Sequence, residues 1–380
     1  MRDTLLTAPC SVAAPVATPC TPFLRLDIEA AVDRYREVQR AFPTTAIHYA
    51  VKANPHRTLL AELAAAGCSF DVASPPEVAA CLEAGARADQ LVHSNPIARR
   101  RDLATAFELG VRLFVVDSPE EVAKLSAVGP GARVLIRLRT TGEGSDWPLS
   151  RKYGCEVDEA ISIGLGADRL GLDVAGVAFH VGSQQRDPSK WAVPIAAAGE
   201  VFRALRALGM RPQLLDLGGG LPAGLEGGAP ALAAYGEAID AAVTTTFGID
   251  PARRPHTLME PGRGIVGDAG TLVAGVVAVV HRGGRRWVYL DAGVFTGLVE
   301  TLDEAIRYRL ESNATGRLAP AVLAGPTCDS ADVLYERTPA MLPADLAEGD
   351  TVIFHAAGAY TTCYSTVGFN GFAPLPTHLV

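Results

Sequence analysis

Residues 46–85 read AIHYAVKANPHRTLLAELAAAGCSFDVASPPEVAACLEAG. This stretch holds two β-rich apolar runs, 46–53 and 69–74, and each is followed by an amphipathic stretch, 56–66 or 75–85, with apolar residues at helical spacing. A strand followed by a helix, twice in succession, is typical of a β/α protein with a parallel sheet.

Two helix starts are also indicated. Ser74 precedes Pro75 and has Glu77 three positions on, and Asp117 has Glu120 at the same offset. Both patterns match a capping box, in which the first side chain accepts a hydrogen bond from the first helical turn. We therefore predict helices that begin directly after Ser74 and Asp117.

The β/α alternation continues to about residue 262. Six further β-rich runs lie at 91–95, 113–117, 133–139, 176–182, 214–219 and 257–262. Polar residues and glycines stand at or just past the carboxyl ends of the runs, namely Lys52, Asp71, Ser74, Asn95, Asp117, Arg137, His180, Gly218, Gly219, Gly220 and Glu260. Because the mouth of a closed barrel gathers such residues from every strand, we predict a (β/α)8 TIM-type barrel, with a doubly wound open sheet as the alternative.

After about residue 263 the helical period mostly disappears. The β-rich segments there are punctuated by Gly and Pro, and they lie at 271–281, 286–291, 320–325 and 351–355. This pattern predicts a β-sandwich or β-barrel domain, to which the extended opening segment adds a strand. We predict a β/α barrel over 28–263 and a discontinuous β domain formed by 11–27 and 264–380.

Composition excludes several classes of function. The chain has 380 residues, 48% of them hydrophobic, and a net charge of -8 without a basic patch, so nucleic acid is an unsuitable partner. No apolar run approaches the roughly 18 residues that span a bilayer, and the first 22 residues do not read as a signal peptide. The seven cysteines contain no C-x-x-C pair, which argues against a disulfide framework or a metal site and favours the cytoplasm.

Lys52 ends the first apolar run, in the motif YAVKAN. A lysine at a strand end usually packs its stem on apolar surface while its ammonium reaches water. At a barrel mouth, however, desolvation lowers the pKa of the ammonium, as a lysine that forms a Schiff base requires. Taken by itself, Lys52 is compatible with both interpretations.

Two motifs suggest an anion site. Gly218 to Gly220 in LLDLGGGLP form either a tight turn or a cradle in which backbone N–H groups approach a phosphate. The motif MEPGRG supplies Arg263 as a second phosphate contact and places Glu260 near it. A carboxylate beside a phosphate site is explained if a cation, such as a protonated pyridine nitrogen, lies between them.

Several other residues have both a structural and a functional interpretation. His180 in AFHVGS is either a core histidine or a ring that stacks on a flat cofactor, with Ser183 as a donor to the phosphate. Cys328 and Asp329 in GPTCDSAD are a structural thiol and a turn residue, or a functional pair. Tyr360, in GAYTTCYSTVGFNGF, packs in a terminal strand or belongs to the site.

In this order, YAVKAN, FDVAS, SNP, FHVGS, DLGGG, EPGR, GPTCDS and GAYT resemble the motifs of the fold-type III pyridoxal 5'-phosphate (PLP) decarboxylases. This is the ornithine and diaminopimelate decarboxylase family, and the resemblance runs from about residue 22 to the C-terminus. It implies an alanine racemase-like fold, in which a barrel is followed by a β domain, and PLP as the cofactor. Eight ordered motifs make the resemblance specific.

The resemblance also implies roles for the residues. Lys52 would bind PLP as a Schiff base supported by Asp71, His180 would stack on the ring, and Glu260 would keep the pyridine nitrogen protonated, with Arg137 nearby. The ring then takes up the electrons left when carbon dioxide departs. The residues that would hold the phosphate are Ser183, Gly218, Gly219, Gly220, Arg263 and Tyr360.

In this family the Cys-Asp loop crosses into the neighbouring subunit, which implies a homodimer with two shared active sites. Cys328 would then protonate the carbanion, and Asp329 would accept the distal ammonium of the substrate. Lys152 and Asp332 resemble a family pair that bridges the subunits.

The substrate is inferred from fewer residues. Cys-Asp-Ser at the loop resembles ornithine and lysine decarboxylases, whereas diaminopimelate decarboxylases typically show Cys-Glu-Ser. Phe295 in DAGVF stands where eukaryotic ornithine decarboxylases carry a Tyr, and Asp303-Glu304 stands where they have a Tyr-Asp pair. Glu304 and Phe369 are expected to contact substrate, and the extra methylene of Glu304 suggests a pocket of altered length. Ornithine is the first expectation and lysine the second. The alternatives are another diamino acid such as diaminopimelate, a racemase of the same fold type, or an inactive regulatory relative.

Overall fold

The structure is a computed structural model that describes residues 19–149, 151–250 and 254–380. Residues 11–18 of the predicted opening segment lie outside the described residues. The strands are β1 Phe23–Leu26, β2 Thr45–Ala50, β3 Ser69–Val72, β4 Leu91–His93, β5 Leu113–Val116, β6 Arg133–Arg137, β7 Ser145–Trp147, β8 Asp173–Ala178, β9 Ser183–Gln185, β10 Leu214–Asp216, β11 His256–Met259, β12 Gly270–Arg282, β13 Arg285–Leu290, β14 Leu310–Ser312, β15 Leu318–Ala324, β16 Ala340–Pro343, β17 Thr351–His355 and β18 Thr377–Leu379.

The α-helices connect the barrel strands and cover their outer surface. They are α1 Ile28–Ala41, α2 Arg57–Ala65, α3 Pro75–Glu83, α4 Arg100–Glu108, α5 Pro119–Val128, α6 Val157–Arg169, α7 Ala192–Ala207, α8 Leu232–Phe247 and α9 Arg263–Val266. Among the described residues, none of these helices is both long and apolar enough to cross a membrane.

Eight parallel strands close into a barrel in the order β10-β11-β2-β3-β4-β5-β6-β8. The closure is made at β10, where Leu214 pairs with His256 of β11 on one side and with Gly176 of β8 on the other. The predicted TIM-type barrel is therefore confirmed, and the open-sheet alternative is wrong.

Alternate strand residues divide the barrel core into two layers. Leu135 of β6 packs with Val92, Val115 and Leu258 from other strands in one buried cluster. Val134 and Ile136, the neighbours of Leu135 in β6, belong to the larger cluster, which includes residues of the helices. Because side chains alternate along a strand, the first cluster fills the barrel and the second lies between strands and helices.

The second domain is mostly sheet, as predicted. Its strand order is β14-β17-β12-β13-β15-β16, and β1 adds to it by pairing with β12 and β18. The chain thus enters through the second domain at β1 and passes to the barrel at Asp27, whose side chain accepts a hydrogen bond from the backbone N of Ala30 and caps α1. The domain limits 28–263, 11–27 and 264–380 stay a prediction.

Both predicted capping boxes are wrong in detail. Helix α3 begins after Ser74 as expected, but the Ser74 side chain makes no capping hydrogen bond, and Glu77 accepts one from the backbone N of Ala73 at 2.6 Å instead. Helix α5 begins one residue later than expected, because Ser118 is its N-cap. Asp117 is engaged elsewhere, where it accepts a hydrogen bond from the backbone N of Gly154 at 2.8 Å.

Candidate active site

Lys52 lies in a short 3₁₀ turn, Val51–Ala53, directly after β2. Its Nζ forms a hydrogen-bonded ion pair with Asp71, which stands on the adjacent strand β3. The Asp71 side chain is fully buried, whereas 40% of the Lys52 side chain is exposed. The amine is therefore fixed on one side by a carboxylate and is open to the barrel mouth on the other.

Burial lowers the pKa of Lys52, but the negative charge of Asp71, followed by Tyr360 and Glu260, raises it by more. The resulting pKa lies above that of an ordinary lysine. Desolvation therefore acts in the expected direction, but the expected net lowering of the pKa is not found, because Asp71 is in direct contact with the ammonium and is itself withdrawn from water.

The C-terminal segment of the β domain is hydrogen-bonded to the same turn. The backbone N of Tyr360 donates to the carbonyl oxygen of Ala53 at 2.8 Å, and the Cys363 thiol lies 3.1 Å from the carbonyl oxygen of Lys52. Asn54 extends the contact, since its side-chain amide donates to the carbonyl oxygen of Gly358 at 2.9 Å. Both domains thus shape the backbone that carries the lysine.

Gly218 to Gly220 follow β10 and are packed against neighbouring backbone. Gly218 has a φ of +64°, and a Cβ there would overlap the carbonyl oxygen of Phe179. A Cβ at Gly219 would lie 2.8 Å from the carbonyl oxygen of Glu260 and 2.9 Å from Nε2 of His180. Side chains are therefore excluded from this turn, and its backbone lies next to the imidazole.

We expect Gly218→Ala to destabilise the protein by about 2–5 kcal/mol and to weaken cofactor binding, since it combines left-handed backbone with a steric clash. Urea unfolding and cofactor titration would measure the two effects. Gly209→Ala is the matched control, because Gly209 also has a positive φ, +91°, but nothing lies within 4 Å of the added Cβ. Equal effects of the two substitutions would show that backbone strain alone accounts for the loss.

Arg263 is buried and is held by several groups. Its Nε donates to Ser183 Oγ at 3.2 Å, and its Nη2 donates to both carboxylate oxygens of Glu300 at 2.7 Å. The guanidinium carbon lies 5.0 Å from the ring centroid of Tyr360. Among the described residues, no acceptor is found for the buried Nη1 of Arg263.

An unpaired buried donor costs about 1–3 kcal/mol, and cationic groups cost more. Within the described residues, Nη1 of Arg263 has no acceptor of its own, although the Tyr308 hydroxyl interacts with the same guanidinium. A phosphate would supply an anionic acceptor. The residues predicted to hold a phosphate, Ser183, Arg263 and Tyr360, lie together. Sequence reasoning missed Glu300, because a contact between residues 37 positions apart leaves no local signal.

Glu260 follows β11 and is buried. Its carboxylate accepts a hydrogen bond from Ser94 Oγ and is also hydrogen-bonded to the carboxyl group of Asp216. Burial and then the charge of Asp71 raise the pKa of Glu260 to about 7, against the opposing effects of Lys52 and Ser94. Asp216 was missed in the sequence, where it reads as an ordinary strand residue of LLDLGGG.

His180 presents a neutral ring next to Gly219. Its Nδ1 accepts a hydrogen bond from the backbone N of Gly182 at 3.0 Å, which leaves Nε2 to carry the proton. Burial, followed by the charges of Arg137 and Lys52, lowers the pKa of His180 well below its usual value. Arg137 ends β6, and its guanidinium carbon lies 5.1 Å from the ring centroid of Tyr153.

A second group of predicted site residues lies together on the β domain. Cys328 and Asp329 are exposed, and the backbone N and Sγ of Cys328 lie 3.2 and 3.5 Å from Oδ1 of Asn370. The ring centroids of Phe369 and Phe295 are 4.9 Å apart. Within the part of the chain that the structure describes, the hydrogen bonds found for Cys328 and Asp329 do not reach the barrel mouth.

One predicted contact is not supported. Glu304 accepts hydrogen bonds from the backbone N of Arg337 and Thr338 and pairs with Arg307 at 3.3 Å, so its carboxylate is already used within the β domain. This argues against a contact with a substrate ammonium.

Asp332 is also engaged inside the chain. It is 2% exposed and accepts hydrogen bonds from the backbone N of Val294 and from the backbone N and hydroxyl of Thr327. Lys152 lies beside its neighbour Tyr153, with Nζ 4.8 Å from the ring centroid. Three donors occupy three of the roughly four acceptor positions of the Asp332 carboxylate, and the bridge to Lys152 of a second subunit stays a prediction.

The model of a family described as pyridoxal-dependent decarboxylase, pyridoxal binding domain, matches residues 28–267. The chain belongs to this family. It is 34% identical over 360 residues to the lysine/ornithine decarboxylase of Selenomonas ruminantium, with 94% of this chain and 89% of that protein covered. It is 31% identical over 373 residues to the chloroplastic ornithine decarboxylase of Nicotiana glauca, with 94% and 84% covered.

The fold of this pyridoxal-dependent decarboxylase is also that of solved structures. The lysine/ornithine decarboxylase of Vibrio vulnificus, solved with putrescine, matches with a TM-score of 0.84 at 34% identity, over 95% of this chain and 94% of the other. The protein is thus a fold-type III amino-acid decarboxylase, a carboxy-lyase whose cofactor is PLP. The family expected from the eight motifs is confirmed.

Proposed function

We propose that the enzyme decarboxylates a basic amino acid, with L-ornithine as the preferred substrate and lysine as the second, in a homodimer with shared active sites. The cofactor site of the proposal is carried by the buried Nη1 of Arg263, which has no hydrogen-bond partner among the described residues and would pair with a phosphate. The names of the similar decarboxylases support the basic substrate class.

Arg263, Ser183, Tyr360 and the backbone of Gly218 to Gly220 bind the phosphate in this proposal. Arg263 has two of its three nitrogen groups fixed by Ser183 and Glu300, so the third is oriented before the cofactor arrives. Such preorganisation spares the ordering cost at the moment of binding.

Lys52 provides the amine that holds the cofactor, and Asp71 keeps the amine in position. Glu260 would pair with the ring nitrogen and stabilise its proton, and the neutral imidazole of His180 would pack on the ring, with Arg137 nearby. When bound, PLP supplies the electron sink for the carboxyl group's departure. The protein residues supply orientation, charge and a site withdrawn from water.

Cys328 and Asp329 complete the site of a second subunit in this proposal. They are exposed and hydrogen-bond within their own surface region of the β domain. Large exposed apolar side chains lie in the adjoining segment, namely Tyr364, Val367, Phe369 and Phe372. An apolar surface around a polar pair suits an interface between copies. Cys328 then returns a proton to the substrate carbon, and Asp329 binds the distal ammonium.

A substrate screen tests the substrate assignment. We expect product amines from ornithine and lysine, and kcat/KM lower by about 10- to 100-fold for diaminopimelate and arginine. The second carboxylate of diaminopimelate would face Asp329, and the larger guanidinium of arginine would not fit where a plain ammonium makes a charge-assisted hydrogen bond of about 1.5–3 kcal/mol. Asp329→Asn should lower kcat/KM for ornithine by a similar factor.

Asp89→Asn is the control, since Asp89 is exposed and pairs only with Arg87 in the described contacts. Preference for diaminopimelate, or an Asp329→Asn variant with parental kinetics, would contradict the assignment. Chiral analysis of the remaining amino acid would reveal racemisation, the outcome expected of a racemase.

A further inference from the structure

Two carboxyl groups contact each other at the carboxyl ends of neighbouring barrel strands. Asp216 ends β10 and Glu260 follows β11, and these strands are neighbours in the barrel. The two side chains are hydrogen-bonded to each other, and the residues are only 1% and 7% exposed. Because an ionised carboxylate only accepts hydrogen bonds, this contact requires a proton on one of the two.

The surroundings decide which residue carries the proton. Asp216 Oδ1 accepts a hydrogen bond from the backbone N of Gly218 at 2.8 Å, and Glu260 accepts one from Ser94 Oγ. The charge of Asp71 disfavours ionisation of both carboxyl groups. The positive charge of Lys52, in contrast, stabilises the anion of Glu260.

The pKa values agree with this placement of the proton. Burial first, and then the charge of Glu260, raise the pKa of Asp216 well above its usual value. For Glu260, Lys52 and Ser94 oppose the effect of burial.

We propose that Asp216 is a positioning residue, a neutral carboxylic acid that donates its proton to Glu260 and thereby holds Glu260 as an anion directed at the ring nitrogen of PLP. This deepens the proposed function and rests on it. The same side chain also accepts a hydrogen bond from the backbone amide of Gly218. Asp216 therefore links Glu260, which contacts the ring nitrogen in this proposal, to the glycine turn.

The charge balance of the site supports the proposal. Lys52 and Asp71 form a neutral pair, His180 is neutral, and Asp216 is neutral when protonated. Of the two carboxyl groups, Glu260 then carries the negative charge, which would pair with the positive charge of a protonated ring nitrogen. Arg137 is a further cation, and its charge acts on His180.

Substitution by asparagine and leucine tests the proposal. Asparagine has the shape of the protonated acid, because its oxygen accepts from Gly218 and its amide group donates to Glu260. We expect the Asp216→Asn holoenzyme to bind PLP with a dissociation constant within about threefold of the parent, and Asp216→Leu, which loses both hydrogen bonds, to bind about 10- to 100-fold more weakly. Equal weakening by both variants would overturn the proposal, since it would mean that position 216 needs a carboxylate.

Infrared spectroscopy of the holoenzyme gives a readout that does not depend on activity. We expect a carboxylic-acid carbonyl stretch at neutral pH in the parent that is lost in Asp216→Asn. A parental spectrum without that band would overturn the proposal while leaving the proposed function intact. Failure of the proposed function is distinguishable, because the parent would then bind no PLP and release no amine.

Discussion

Lys52→Ala is expected to lower kcat by about four orders of magnitude and to remove the visible absorption band of the bound cofactor, because no other group at the barrel mouth supplies the condensing amine in our proposal. Lys52 is the amine fixed by Asp71 and open to the mouth. The loss should appear for every substrate that the parent accepts. Amine production and absorbance, measured on the same preparation, would check both effects.

Lys52→Arg separates chemistry from folding, because it keeps a positive charge beside the buried Asp71 but cannot form a Schiff base. It should be as inactive as the alanine variant and more stable, since an unpaired buried carboxylate is costly. Lys190→Ala is the control for removal of a lysine, as Lys190 pairs with the largely exposed Glu143 at 3.1 Å. Release of carbon dioxide at the parental rate by Lys52→Ala would show that the role given to Lys52 is wrong.

Mixing Lys52→Ala protein with Cys328→Ala protein should restore activity from near zero to about a quarter of the parental value. Random exchange of equal amounts makes about half of the dimers mixed, and each has one site with an intact barrel and an intact partner loop. Asp329→Ala should also complement Lys52→Ala. Activity measured against mixing ratio, after subunit exchange, would check this.

The matched control for mixing is Lys52→Ala with Glu260→Gln. Both residues lie at the mouth of the same barrel, so every site in the mixed dimer lacks one of them, and no recovery is expected. If neither Cys328→Ala nor Asp329→Ala restored activity on mixing, the shared-site proposal would be contradicted. Recovery with Glu260→Gln would show that the two groups come from different chains.

The strand-end residues were predictable from sequence because parallel strands bring their carboxyl ends to one edge. Lys52, Asp71, His180 and Glu260 needed only the right strand assignment to be placed near one another. Their hydrogen-bond partners were not predictable to the same extent. The Arg263–Glu300 pair and the contact of Asp216 with Glu260 depend on how distant segments are aligned in space.

Two acidic residues that the motifs place in functional roles also accept hydrogen bonds within the chain. Asp303 and Glu304 both have a positive φ, and this geometry accompanies the hydrogen bonds from Arg337 and Thr338 to the Glu304 carboxylate. A sequence alignment does not show the direction in which the Glu304 side chain points. Asp332 similarly sits in the loop where the motif places it, yet its oxygens satisfy Val294 and Thr327.

The hydrogen bonds from Tyr360 and Cys363 to the turn around Lys52 have a consequence for biosynthesis. The ribosome makes the lysine early and the residues that brace it last, more than 300 positions later. A nascent chain therefore lacks the contacts that brace the lysine turn until residue 363 has left the ribosome. A premature stop before residue 358 would leave a barrel whose amine lacks its brace.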